Sequence, residues 1–183
     1  MTEGPTRSIS KIRATAARFS AIGTLAIALM ATSPAMAQTP RAIATFGDWG
    51  VFEKVTGEDK ICFAATEAKS KQPTNVKHGD VFFLVATWKS GAAINQPSLM
   101  TGYNLRAAPE PKLRVGSDSW EMYSSENEAF VESDADERRL VSAMRRGSTM
   151  RVSAMSERGT ATSYNISLSG VTAALRRVEE ACR

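Results

Sequence analysis

The sequence predicts a mainly β fold, a β-sandwich with one short helix and a C-terminal helix. Three observations predict it. Short segments with apolar residues at every second position recur along the chain, turn residues separate them, and only two segments carry a helical pattern. This arrangement is typical of sandwiches rather than of alternating α/β folds. We expect roughly eight strands in a single domain over residues 46–183.

An export signal is predicted over residues 1–37. Four basic residues precede an uncharged stretch from Phe19 to Met36, and the small-x-small site Ala35-Met36-Ala37 closes it. An uncleaved membrane anchor is the alternative, but polar residues dilute the run, and a spanning helix needs roughly 20 predominantly apolar residues. We therefore expect an exported protein that is periplasmic, outer-membrane-associated or secreted. After cleavage it has no membrane span, and a flexible lead covers residues 38–45.

The positive charge of the chain belongs mostly to this leader. Residues 1–37 contain four of the 23 Lys and Arg and one of the 19 Asp and Glu, so the remainder carries a net charge of +1. Six basic residues could form a surface patch, but no interleaved aromatic residues accompany them: Lys112, Arg114, Arg145, Arg146, Arg151 and Arg158. Neither feature favours a nucleic-acid partner.

The first strands are predicted from apolar runs and turn residues. Asp48–Val55 and Lys60–Thr66 form a hairpin around Thr56-Gly57-Glu58-Asp59. Val81–Trp88 is apolar on both alternate faces, which is typical of a central strand covered on both sides. Weaker strand patterns follow at Pro97–Asn104, Lys112–Val115 and Ser119–Tyr123.

The clearest alternation lies near the C-terminus. Met150, Val152 and Ala154 share one face, and Tyr164, Ile166 and Leu168 repeat the pattern after a turn. This turn, Ser156-Glu157-Arg158-Gly159, predicts a hairpin in which Gly159 supplies the positive φ.

Two segments carry helical signals. The first begins at the acidic run Asp134–Glu137 and ends at Arg145-Arg146-Gly147. The second covers Val171–Cys182, where Val171, Ala174, Leu175, Val178 and Cys182 share one face.

The two cysteines are predicted to form a disulfide. Cys62 lies in a predicted strand, Cys182 faces the core from the terminal helix, and export allows both to oxidise. Two buried free thiols are the alternative.

Candidate chemistry is sparse. His78, the single histidine, lies in a loop and is interpreted as solvated rather than catalytic or metal-binding. The acids from Glu126 to Glu137 are interpreted as a helix N-terminus, and the three tryptophans, Trp49, Trp88 and Trp120, as core residues. We predict no cofactor and no metal.

The chain resembles the invasion-associated locus B family of alphaproteobacterial envelope proteins. The residues that carry the resemblance are Phe46-Gly47-Asp48-Trp49, the Cys62 strand, Phe82-Phe83, Ala143–Met150, Ser156–Thr160, Tyr164, Ser167–Gly170, Ala174-Leu175 and Cys182. Some relatives carry a cysteine soon after the Gly-Asp-Trp, where this chain has Gly50-Val51-Phe52-Glu53, so the pairing of Cys62 with Cys182 rests on elimination. The resemblance implies an exported, immunoglobulin-like β-sandwich from a locus linked to host-cell invasion, with no agreed enzymatic activity.

Binding is therefore the leading functional hypothesis, with an envelope or host-surface protein as partner. The predicted recognition loop is Glu157, Arg158, Gly159 and Thr160, because an exposed charged loop on a rigid scaffold is where recognition tends to occur. One alternative is a hydrolase of envelope polymers that uses Glu126 or Glu128. The other is a structural periplasmic accessory protein.

Overall fold

Two antiparallel sheets enclose an apolar core in the computed structural model, which describes residues 39–183. The predicted leader lies outside the described residues. The elements in chain order are β1 (Arg41–Phe46), β2 (Trp49–Thr56), β3 (Asp59–Glu67), β4 (Ser70–Gln72), β5 (Phe82–Trp88), β6 (Gln96–Met100), β7 (Lys112–Val115), β8 (Asp118–Glu121), β9 (Tyr123–Ser125), β10 (Glu128–Phe130), α1 (Asp134–Arg146), β11 (Thr149–Met155), β12 (Ala161–Ser167) and α2 (Val171–Ala181). Sheet A has the order β1-β2-β3-β5-β6-β10-β9, and sheet B has the order β4-β12-β11-β7-β8. The predicted mainly β sandwich with a C-terminal helix is confirmed.

The strongest local patterns form the predicted hairpins. β2 pairs with β3 up to Thr56 opposite Asp59, and β11 pairs with β12 from Thr149–Ser167 to Met155–Ala161. β5 is the fourth of the seven strands in sheet A, which confirms its central position.

Several strand boundaries differ from the prediction. Arg41–Thr45, expected to be a flexible lead, belongs to β1, because the otherwise open edge of β2 pairs with it. The strand expected over Pro97–Asn104 ends at Met100, where Thr101 turns the chain by donating its hydroxyl to Tyr103 O at 2.6 Å. The strand expected over Ser119–Tyr123 is divided between β8 in sheet B and β9 in sheet A. The short strands β4 and β10 were not predicted.

The first helix begins at Asp134, the first residue of the predicted acidic run. Ser133 is the N-cap: its Oγ accepts a hydrogen bond from Asp136 N at 3.1 Å, and its hydroxyl donates to Asp136 Oδ2 at 3.0 Å. The acids that follow lie in the first turn, as the sequence indicated. Within residues 39–183, neither helix is long and apolar enough to cross a membrane.

Helix α2 is attached to the inner face of sheet A. Its residues Val171, Ala174, Leu175 and Val178 are buried, and Cys182 at its C-terminus forms a disulfide with Cys62 of β3, with 5.8 Å between the Cα atoms. The predicted pairing is present, and it ties the C-terminus to the sheet.

The Asp48-Trp49 pair joins the two sheets. The Trp49 indole donates to Ser167 O of β12 at 2.9 Å, and Ser167 Oγ donates to Asp48 Oδ2 at 2.6 Å. Lys69 Nζ bonds to the other Asp48 oxygen at 2.5 Å, and these bonds lower the pKa of Asp48. The Asp48-Trp49 pair therefore has a structural role.

The outer faces of the two sheets differ in polarity. Sheet B presents polar residues to solvent, among them Arg114, Arg151 and Ser153. The outer face of sheet A is instead apolar and half-buried over Phe52, Ile61, Phe63, Ala65, Phe82, Leu84, Ala86, Trp88, Met100 and Phe130, with Tyr123 at its edge. The prediction that β5 is covered on both sides is thus met only on its inner face, and Trp88, expected in the core, lies on the outer one.

Candidate functional site

A polar cleft of about 550 Å³ lies between three loops. They are the segment before β5, the segment after β6 and the turn between β11 and β12. The lining residues are Val76, Lys77, His78, Gly102, Tyr103, Asn104, Ser156, Glu157, Arg158, Thr160 and Thr162. The cleft therefore includes three of the four residues of the predicted recognition loop.

The β11–β12 turn is fixed by its own polar groups. Ser156 N donates to Thr160 O at 2.9 Å, and Ser156 Oγ accepts from Thr160 N at 3.0 Å. Gly159 has the predicted positive φ, +87°. The turn keeps its shape through backbone conformation and internal hydrogen bonds.

The same turn is attached to the segment after β6. Glu157 N donates to Asn104 O at 2.9 Å, and Arg106 N donates to Met155 O at 2.8 Å. Arg158 is exposed at the tip, beyond these bonds. The structure thus presents Arg158 on a well-supported edge of the cleft, which Lys77 also lines.

His78 is buried, and the interpretation as a solvated loop residue is wrong. Its side chain is 7% exposed because its loop folds onto the segment after β6. Gly79 and Gly102 allow that approach: a Cβ on Gly102 would lie 2.8 Å from the Gly79 Cα. No local sequence pattern indicates this contact, since the two glycines belong to separate loops.

A chain of hydrogen bonds extends from His78 along the floor of the cleft. His78 Nε2 lies 2.9 Å from Pro73 O, which can only accept, so Nε2 carries the hydrogen. His78 Nδ1 lies 3.0 Å from the Tyr164 hydroxyl, which lies 2.5 Å from the Tyr103 hydroxyl. Tyr103 in turn contacts Thr162 Oγ1 at 2.8 Å.

These contacts indicate that the hydrogen-bonded residues on the floor of the cleft support the surrounding loops. Burial raises the pKa of Tyr164 well above its usual range, so its phenol stays protonated. Both ring nitrogens of His78 are occupied by Tyr164 and Pro73, which leaves neither to activate a serine. The network holds the loops in place, and the charged groups lie on the rim.

A second cleft, of about 650 Å³, lies between α1 and the loop before β6. Asp134, Glu137, Arg138 and Arg145 contribute charges to its lining. Burial, with a smaller contribution from the Asp134 charge, raises the pKa of Glu137. Arg145 forms an ion pair with Glu179 of α2 at 2.8 Å, and Asp134 and Arg138 are exposed, so these side chains are explained as a solvated helix face.

The glutamates of the hydrolase alternative lie outside both clefts. Glu126 is exposed in the β9–β10 turn, and Glu128 lies on the outer face of sheet A. Within residues 39–183, no group of three His, Cys, Asp or Glu side chains is placed to hold a metal ion. The described geometry therefore gives these carboxylates no substrate cavity.

Comparison with known proteins identifies the family. The model of the invasion associated locus B (IalB) protein family matches residues 49–179. Among solved structures, the chain is similar to invasion associated protein B from Bartonella henselae, with a TM-score of 0.54 and 16% identity over 79% of this chain and 97% of that one. No curated protein sequence matches the chain. The family match covers the strands β2 to β12, the turn between β11 and β12 and most of α2, and the chain belongs to the invasion associated locus B family.

Proposed function

We propose that the chain is an exported, non-enzymatic envelope protein that binds a protein on the bacterial envelope or on a host surface. The observation that carries the proposal is the rigid turn Glu157–Thr160, which presents Arg158 at the edge of a polar cleft. Preformed loops lose little conformational entropy on binding, which favours recognition.

Export is supported by the predicted leader and by the disulfide between Cys62 and Cys182. Family membership supports an association with invasion. The cleft itself favours binding over catalysis, because the hydroxyl and imidazole groups of its floor are engaged with one another.

Location is tested by expressing the full chain, fractionating the cells and treating intact cells with protease. We expect cleavage on intact cells and a non-reducing mass that lacks residues 1–37. Protection from protease would instead support the structural periplasmic role, and a mass that retains the leader would contradict export.

Binding is tested with the exported protein, using cultured animal cells and isolated envelopes of the producing bacterium as probes. We expect Arg158→Ala to lower the bound amount at least about tenfold, as loss of a central charged contact does. Arg176→Ala is the matched control, since Arg176 is exposed on α2 and does not line the cleft. Equally strong binding by both variants would show that Arg158 and its turn do not contribute to the interface.

A further inference from the structure

We propose that the outer face of sheet A is the interface between two copies of this chain. An antiparallel sheet that borders solvent normally carries polar residues on that side, as sheet B does with Arg114 and Arg151. The corresponding side chains of sheet A include Phe52, Phe63 and Leu84. This asymmetry indicates that another surface covers sheet A.

The described part of the chain provides no such cover. Helix α2 lies on the inner face, where its buried side chains and the Cys62–Cys182 disulfide contact the core. The outer residues Phe52 and Phe63 instead stack on each other, with 5.3 Å between ring centroids, and remain half-buried. Tyr123, at the edge of the same face, is 48% exposed.

The size of the face fits a dimer. It crosses the strands β2, β3, β5, β6 and β10. Strands spaced ~4.8 Å apart, with about six residues of ~3.4 Å each, give this face a flat projection of roughly 500 Å². Side-chain relief makes the accessible area larger than this projection, close to the ~600–800 Å² per partner of a specific interface.

The distribution of charge favours a second copy over another partner. Lys54 lies at one end of the face, in the row with Ile61 and Trp88. Glu67 and Glu128 lie at the opposite end, in the row with Phe82 and Met100. A two-fold axis that crosses the strands places each end of the face on the other end of the same strands in the partner. Lys54 of β2 then lies nearest to Glu67 of the neighbouring strand β3 in the second copy, whereas Glu128 lies on β10, four strands away.

The geometry of sheet packing allows the outer faces of two copies to meet. Two sheets pack face to face with their strands within about 30° of each other. A two-fold axis across the strands produces such an aligned arrangement, and the apolar rows in the middle then meet one another. The proposal is independent of the Arg158 turn.

The test is sedimentation velocity of the exported protein between about 1 and 100 μM, a range set by dissociation constants of weak to moderate dimers. We expect a dimer for the natural chain and at least about a 100-fold higher dissociation constant for Leu84→Lys, because a charge at the centre of the interface loses its hydration. Ile94→Lys is the matched control, since Ile94 is apolar and 65% exposed in a loop outside this face.

A second variant tests the charge arrangement. Lys54→Glu leaves every apolar contact in place, and we expect it to raise the dissociation constant about tenfold at low salt. Far-ultraviolet circular dichroism of each variant checks folding. The proposal would be overturned if the natural chain stayed monomeric across this concentration range, whether or not it bound phospholipid vesicles through this face. It would also be overturned if the Leu84→Lys protein dimerised as the natural chain does.

Discussion

The hydroxyl of Tyr164 connects residues from distant parts of the chain at the floor of the cleft. It lies between His78 Nδ1, at 3.0 Å, and the Tyr103 hydroxyl, at 2.5 Å. With Nε2 donating to Pro73, an imidazole that carries one hydrogen accepts at Nδ1; in that arrangement Tyr164 donates to His78 and accepts from Tyr103. Each of these buried polar groups depends on its neighbour for a partner.

Tyr164→Phe tests this dependence. The ring still fills its fully buried site, but His78 Nδ1 loses its donor, and a buried polar group left unpaired costs about 1–3 kcal/mol. We expect the free energy of unfolding in urea at pH 7 to fall by that amount. Tyr123→Phe, at a half-exposed position, changes it by less than about 0.5 kcal/mol. Equal effects of the two substitutions would contradict the network.

The same hydroxyl predicts an alkaline effect. Because burial raises the pKa of Tyr164, the folded protein keeps a proton that the unfolded chain releases near the ordinary tyrosine value of about 10. The contribution to stability is complete below that pH and is lost progressively above it. The free energy of unfolding, measured from pH 8 to 11, is expected to fall more steeply above pH ~10 for the natural chain than for Tyr164→Phe. Parallel curves would show that another group is responsible.

At the scale of elements, local sequence patterns were sufficient to predict the hairpins and α2. Strands that form only by pairing with another segment could not be predicted in this way. The β2–β3 and β11–β12 hairpins and α2 follow from alternation, turn residues and a helical apolar face, all within short windows of sequence. β1 was missed because only its pairing with β2 makes it a strand. β4 was missed for the same reason: its three residues pair with β12, far along the chain.

Helix α1 offers an element-scale prediction at its N-cap. Ser133→Ala removes the side-chain acceptor for Asp136 N and is expected to lower the free energy of unfolding by about 1 kcal/mol. Ser133→Asp keeps an acceptor and restores most of that loss. Ser142→Ala, on the exposed surface of the same helix, serves as the control in the same urea titrations. If Ser142→Ala lowered the free energy of unfolding and Ser133→Ala did not, Ser133 would not be the N-cap of α1.

At the scale of the whole molecule, the cleft could not be predicted from the sequence. Its floor joins Pro73 and His78 to Tyr103 and Tyr164, and no local pattern links these positions. The turn between β11 and β12 was predicted because a charged hairpin tip is a local feature. The apolar outer face was visible as the two-sided pattern of β5, but the sequence could not show that the described chain covers only one side.

Removal of the disulfide is expected to lower the stability of the whole molecule more than any other change proposed for it. It closes a sequence separation of 120 residues, and in the chain-entropy model such a crosslink stabilises the fold by about 4–5 kcal/mol. We expect Cys62→Ala with Cys182→Ala to lower the urea midpoint strongly, because the unfolded chain gains freedom while α2 loses its covalent attachment to β3. Reductant should lower the midpoint of the natural chain toward that of the double variant and leave the variant unchanged. If the urea midpoint of the natural chain were the same after its disulfide had been fully reduced, the bond would contribute little to stability. The apolar face of α2 alone would then hold the C-terminus to sheet A.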